Sequence, residues 1–359
     1  IVSDTPGTTT DPVYKAMELL PMGPVMIIDT PGYDDEGALG ELRVKKTSEV
    51  LNKTDCAVLV SDCTRTLDDS EKQLIKLFEG RRIPYVIVKN KSDLLDSIPA
   101  AEDNEIYVSA LNKRMINELR EKVAQLTDYK EQSVPLVGDL VGEGELAVLC
   151  IPIDKAAPKG RLILPQQQVI RDLLEHGAAA LTCRETELKG FIEKLNPKPK
   201  VVITDSQVFA RADADTPKGI MLTSFSILMA RYKGFLEPAV RGAKAIDSLK
   251  DGDRILISEG CTHHRQCEDI GTVKLPKLLK KYTGKELVLE FSSGREFPDD
   301  LTDYALVIHC GGCMLNAREM SSRMMTVEEA GVPVTNYGIA IAYMNGILKR
   351  SLEILPGIL

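Results

Sequence analysis

The sequence predicts an α/β protein of three units with mostly parallel sheets. Short β-branched runs alternate with helical stretches almost throughout its 359 residues, the pattern of parallel strands joined by crossover helices. A chain of that length forms two or three compact domains, each burying its own core. A Pro/Gly-rich link from Pro135 to Gly144 marks one boundary, and an amphipathic stretch from about Ser226 to Leu249 opens the last unit. The expected units are therefore 1–132, 133–225 and 226–359.

Composition limits what these units do. With 43% hydrophobic and 27% charged residues the chain is of the soluble globular kind. No apolar run approaches the roughly 20 residues that span a bilayer, and no signal-peptide pattern opens the sequence. A cytoplasmic protein without a membrane partner is expected. A net charge of -8 without a long basic block counts against nucleic acid as the main partner. Eight cysteines in a chain of this size point to metal binding or buried thiols, not a disulfide framework.

In the first unit, strands are expected near Val25 to Asp29, Ala57 to Asp62, Tyr85 to Asn90 and Ile106 to Ser109. In the second they fall near Leu146 to Ile151, Ala178 to Cys183, Lys200 to Thr204 and Ile220 to Ser224, with helical runs at Val169 to His176 and Glu185 to Leu195. The third has strands near Arg254 to Glu259, Leu287 to Phe291, Ala305 to His309 and Val332 to Asn336.

The ends of the first unit's strands carry nucleotide chemistry. Asp29-Thr30-Pro31-Gly32 follows an apolar strand; there a carboxylate holds the magnesium shell and a glycine N–H approaches the γ-phosphate, the switch II position. Asn90-Lys91-Ser92-Asp93 follows another, and a carboxylate at Asp93 accepts both N1–H and N2–H of guanine, a donor pair that adenine lacks. Ser109-Ala110 matches the loop beside the guanine, and Gly7-Thr8-Thr9-Thr10-Asp11 stands where switch I belongs. Four such segments in this order on these strand ends are specific. They resemble the Era and TrmE type GTPases, which implies GTP, Mg2+ and a monovalent cation as cofactors, with Thr9 closing on magnesium. No Gly-x-x-x-x-Gly-Lys-Ser/Thr segment occurs, since the sequence opens at Ile1 just before switch I. The first unit is thus expected to be a P-loop GTPase fold lacking its first strand and phosphate loop. GTP hydrolysis is expected of a full-length protein and not of this chain as it stands. The connection from Asp93 to Ser109 is also short for one that contains a helix.

The third unit carries the metal chemistry. Cys261 follows the strand ending near Glu259, and Cys310 with Cys313 follows the strand ending at His309. Both groups stand at carboxyl ends of parallel strands, where open α/β sheets form ligand crevices. Gly311 and Gly312 let the backbone turn tightly and leave room for a cluster. Three thiolates without a strong fourth ligand fit a 4Fe-4S cluster with one labile iron. The competing readings are a structural zinc site completed by His263 or His309, and isolated core cysteines. The closely spaced cysteine triad of radical-SAM enzymes is missing.

The GTPase segments, then Cys261-Thr262-His263, then His309-Cys310-Gly311-Gly312-Cys313 make the chain resemble the HydF family of FeFe-hydrogenase maturation GTPases over nearly its whole length. The phrases Ala157-Pro158-Lys159-Gly160-Arg161 and Ile203-Thr204-Asp205-Ser206-Gln207 are also similar to that family. The resemblance implies GTP-binding, dimerisation and cluster-binding domains, a homodimer, and cluster ligands at Cys261, Cys310 and Cys313. It further implies a scaffold that accepts a diiron precursor as cargo from radical-SAM partners and delivers it to apo-hydrogenase. The alternative is a regulatory GTPase with a structural zinc domain. His263, His309, Cys267, a carboxylate or solvent remain open as fourth ligand, and Asp34-Asp35-Glu36 in switch II is one carboxylate source. Cys56, Cys63, Cys150 and Cys183 lie in or beside apolar strands and are expected to be buried. His176, before Gly177, is expected to cap a helix.

Overall fold

The computed structural model describes residues 12–20, 22–30, 47, 50–128, 134–153, 162–260, 269–294, 297–355 and 357–358. They divide into two compact units, 1–133 and 134–359.

In the first unit, β1 (Val13–Leu19) and β2 (Gly23–Asp29) form an antiparallel hairpin with Val13 opposite Asp29. Sequence reading finds β2 but not β1. Lys15, Ala16, Met17 and Glu18 are all exposed, so β1 shows no alternation, and its composition favours a helix; pairing with β2 decides its state. A separate parallel sheet has the order β3 (Ala57–Asp62), β4 (Tyr85–Asn90), β5 (Glu105–Tyr107). Helix α1 (Asp69–Gly80) starts in a capping box: the Asp68 side chain accepts from Glu71 N–H at 2.8 Å, and the Glu71 carboxylate accepts from Asp68 N–H at 2.9 Å. Such a cap contributes about 1 kcal/mol. Phe78 of α1 packs with Leu59, Ile83 and Ile87, while Ile116, Leu119 and Val123 of α2 (Ile116–Asp128) cover Val86, Val88 and Ile106. With helices on both faces, β4 is held rigidly and carries its C-terminal loop at a fixed place. The short connection after Asp93 contains one 3-10 turn, Ser92–Leu94, before β5.

The second unit holds two four-stranded parallel sheets. One has the order β7 (Ala179–Cys183), β6 (Leu146–Cys150), β8 (Val201–Thr204), β9 (Met221–Ser224). The other runs β11 (Val288–Ser293), β10 (Arg254–Glu259), β12 (Leu306–His309), β13 (Val334–Asn336). In both, the inner strands are continuous apolar runs buried on two faces, as parallel sheets require. The connecting helices are α3 (Leu164–Glu175), α4 (Leu188–Lys194) and α5 (Phe209–Asp215), then α6 (Phe225–Tyr232) and α7 (Leu236–Ala243). They continue as α8 (Leu275–Thr283), α9 (Ala317–Glu329), α10 (Tyr337–Met344) and α11 (Leu348–Leu352). The amphipathic stretch from Ser226 to Leu249 thus resolves into α6, α7 and a 3-10 turn, divided at Gly234, whose φ is 79°.

Helices α6 and α10 start directly from strand ends. Ser224 Oγ accepts from Ile227 N–H at 3.3 Å, and Asn336 Oδ1 accepts from Ile339 N–H at 2.8 Å. The earlier sheet shares one core with the helices of the later one, in which Leu149, Ile203, Leu222 and Met229 join Leu315, Met320, Ile339 and Leu352. A second core belongs to the later sheet, with Ile255, Ile257, Leu275, Leu306, Ile308 and Tyr337. Buried Arg350 on α11 reaches back to the turn after α5, donating to the Asp213 carboxylate at 2.5 Å and to the carbonyls of Thr216 and Pro217 at 2.8 and 2.9 Å. No helix among the described residues is long and apolar enough to cross a membrane.

Candidate functional site

At the carboxyl edge of the first unit, β4 delivers Asn90 and the loop that follows. Asn90 Oδ1 accepts from the Ala110 N–H at 3.0 Å, fastening this loop to the one after β5. Asp93 Oδ1 accepts from the buried Ser109 hydroxyl at 2.5 Å, and Ser109 Oγ in turn accepts from Asn112 N–H at 3.1 Å. Asn90, Asp93, Ser109 and Ala110 therefore converge. Lys91 takes a left-handed backbone, φ 66°, and its ammonium sits 2.7 Å from Asp62 at the end of β3. Asp62 is the member that sequence reading missed. Hydrogen bonds from Lys91 first, then from the Thr64 hydroxyl and N–H, hold its carboxyl well below the usual carboxylate range. The detectable signal is an aspartate ending an apolar strand two residues before a threonine, the pattern of an Asx turn. Asp29 ends β2, exposed. Thr9, Gly32 and the run Asp34-Asp35-Glu36 lie outside the described residues, as do Cys261, His263, Cys267 and the phrase Ala157 to Arg161.

In the second unit, β10 and β12 are neighbours, with Ser258 in register with His309. Cys310 continues that pairing, its N–H donating to Ser258 O at 2.8 Å. Cys310 Sγ accepts two backbone hydrogen bonds, from Gly260 N–H at 3.1 Å and Gly312 N–H at 3.3 Å. Backbone N–H groups donate in the same way to the sulfurs of metal-bound cysteines. Gly260 immediately precedes Cys261 in the sequence. Burial raises the Cys313 thiol, opposed by hydrogen bonds from the backbone of Cys313 and Met314 and, least, by the charge of Lys233. No three metal-binding side chains converge among the described residues. The donor chemistry at Cys310 nonetheless fits a cluster. Of the two glycines, only Gly312 has a left-handed backbone, φ 64°.

His309 is fully buried and points away from a ligand role. Its Nε2 faces the Arg323 guanidinium at 3.1 Å, which only donates, so Nδ1 carries the proton and donates to Cys310 O at 2.8 Å. Burial first, then the Arg323 charge, push the imidazole down to about 4. Arg323 is itself held by Gly294 O at 2.5 Å and the Glu319 carboxylate at 3.0 Å. His176 caps α3 as expected, its Nδ1 2.8 Å from Asp172 O. Cys150 and Cys183 are buried and in register, with burial pushing their thiols up to about 12 and about 11. Cys56 and Cys63 are only half-buried, because they flank β3 instead of lying within it.

A loop pair joined through Asn90, Asp93, Ser109 and Ala110 on one parallel sheet, followed by two further parallel sheets, is the arrangement of a GTPase domain with a larger α/β extension. Three family models match the chain: 50S ribosome-binding GTPase over residues 1–91, hydrogen maturase F dimerization domain over 136–234 and hydrogen maturase F tetramerization domain over 237–354. The chain belongs to the hydrogen maturase F family. Among curated proteins it is similar to the tRNA modification GTPase MnmE of Ligilactobacillus salivarius, 29% identical over 134 residues, covering 35% of this chain and 28% of that protein. It is likewise similar to the GTPase Der of Wolinella succinogenes, 28% identical over 151 residues, covering 38% of this chain and 32% of that protein. MnmE of Carboxydothermus hydrogenoformans is 30% identical over 158 residues, 42% of this chain and 32% of that protein. The chain thus spans about a third or less of these relatives.

Proposed function

We propose that this chain is the scaffold and carrier of FeFe-hydrogenase maturation. It holds a 4Fe-4S cluster on Cys261, Cys310 and Cys313, accepts a diiron precursor from radical-SAM enzymes and passes it to apo-hydrogenase, with the GTPase domain switching partners. The observation that carries this reading is the Cys310 sulfur receiving two backbone N–H groups beside the residue that leads into Cys261. Such a cluster supplies an iron with an exchangeable position. The chain's part is to hold the thiolates: Cys310 continues β12 beside the end of β10, and the His309 bond to Cys310 O fixes the peptide between sulfur and strand. With both His309 nitrogens engaged, a zinc site completed by that residue is disfavoured. The GTPase half rests on Asn90, Lys91, Asp93, Ser109 and Ala110, with Thr9, Asp29 and Gly32 proposed for the magnesium and phosphate side.

Anaerobic reconstitution with iron and sulfide, followed by iron counting and a visible spectrum, tests the proposal. Absorption at about 400 nm, the range of thiolate-bound iron–sulfur centres, and four irons per chain are expected. Serine at Cys261, Cys310 or Cys313 should abolish bound iron or leave a smaller remnant, whereas alanine at His263 or His309 should keep the cluster. Zinc retained in place of iron would sink the proposal.

A further inference from the structure

The loop carrying Cys310 and Cys313 rests on two cores at once. Cys310 packs against the core of the later sheet, and Cys313 against the core shared with the earlier one. Helix α6 lies directly under the turn between them: a Cβ placed on Gly311 would meet Met229 Cβ at 3.9 Å and Ser226 Oγ at 4.0 Å. One residue beyond α6, half-buried Lys233 donates from Nζ to Leu315 O at 2.7 Å, two residues past Cys313. Its ammonium also lies 5.3 Å from the centre of the Tyr232 ring, which fixes the direction of the side chain. Lys233 falls within the dimerization-domain match, 136–234, whereas Cys261, Cys310 and Cys313 fall within 237–354.

We propose that Lys233 is a positioning residue of the thiolate site, supplied by the neighbouring domain, which ties down the segment after Cys313 and places a cation beside an anionic iron–sulfur centre. This rests on the cluster reading of Cys261, Cys310 and Cys313. A centre ligated by three thiolates is net negative, and reduction adds a further charge. A nearby cation therefore favours the reduced form and raises the potential, while the tether on Leu315 O limits how far Cys313 moves from iron.

The test compares Lys233→Met and Lys233→Arg in the full chain after anaerobic reconstitution. Methionine keeps the unbranched stem against Tyr232 but has neither donor nor charge; arginine keeps both. Lys233→Arg should match the wild type in midpoint potential and paramagnetic-resonance spectrum. Lys233→Met should show a more negative potential and lose iron to a chelator about tenfold faster, the usual scale of an outer partner's effect. A Lys233→Met cluster with wild-type potential and wild-type iron loss overturns the proposal. If Lys233→Met holds no cluster, melting of the metal-free protein decides: an unchanged midpoint supports a role at the site, and a lowered one overturns it in favour of a role in the fold. A wild-type chain without a 4Fe-4S cluster overturns the underlying reading and this proposal with it, whereas a wild-type cluster lost in Cys310→Ser leaves the lysine result to stand alone.

Discussion

Replacing the two glycines between Cys310 and Cys313 by alanine, one at a time, separates a backbone requirement from a packing one. Gly312 has φ 64°, a region that costs an L-residue roughly 1–2 kcal/mol. A Cβ there would lie 3.0 Å from the sulfur of buried Met320. Methionine gives way by rotating, and the added cost is of order 0.5 kcal/mol in a side chain this flexible. Gly312→Ala should therefore cost about 2 kcal/mol, close to a thirtyfold shift in the unfolding equilibrium. Gly311→Ala brings a methyl into ordinary contact with Met229 and Ser226, so it should stay within about 0.5 kcal/mol of wild type. Urea unfolding of the metal-free proteins, followed by circular dichroism, gives both values. Because Gly312 N–H also donates to Cys310 Sγ, iron retained after reconstitution should fall in Gly312→Ala and not in Gly311→Ala. Equal destabilisation by the two substitutions, or a costlier Gly311→Ala, would refute the reasoning.

Ala179 N–H and Cys183 O are turned towards the β6 side of the sheet, so the N–H of exposed Thr182 faces the open edge of β7. If homodimers form by joining these edges, Thr182→Pro should yield a monomer by light scattering with melting little changed; a persistent dimer moves the contact elsewhere. His309 stays neutral in the fold down to about 4, while the unfolded chain protonates near 6.5. The metal-free protein should thus lose on the order of 3 kcal/mol as pH falls through that window, and His309→Gln should flatten the slope of urea midpoint against pH. An identical slope in the variant would exclude His309 as its source. In a protein carrying its phosphate loop, Asp93→Asn should weaken GTP binding by on the order of 1.5–3 kcal/mol per charged bond lost and shift preference towards xanthine nucleotide. Unchanged preference in a titration would remove Asp93 from the site.

Parallel strands were legible because burial on both faces writes a plain apolar run. Val86, Ile87 and Val88, or Leu306, Val307 and Ile308, announce themselves without knowledge of their neighbours, and the motif residues at their ends were legible with them. The hairpin strand β1 was not, since its exposed lysine and glutamate carry no period and its state is set by β2. The partners of the site residues were equally silent. Asp62 meets Lys91 across two strands, Arg323 meets His309 from the next helix, and Lys233 meets Leu315 over a separation of 82 positions. Each is an ordinary charged residue in a solvated-looking stretch, and only chain crossing brings it to its place.

The guanidinium of Arg350 answers carbonyls and a carboxylate that precede it by as many as 137 positions. At a ribosomal pace of about 5–20 residues per second, that interval lasts roughly 7 to 27 s. Throughout it the nascent chain holds the turn after α5 unsatisfied, with β9 lacking the cover of α11. The earlier sheet therefore reaches its final form only after Arg350 has been made, and assembly through that sheet is postponed until then.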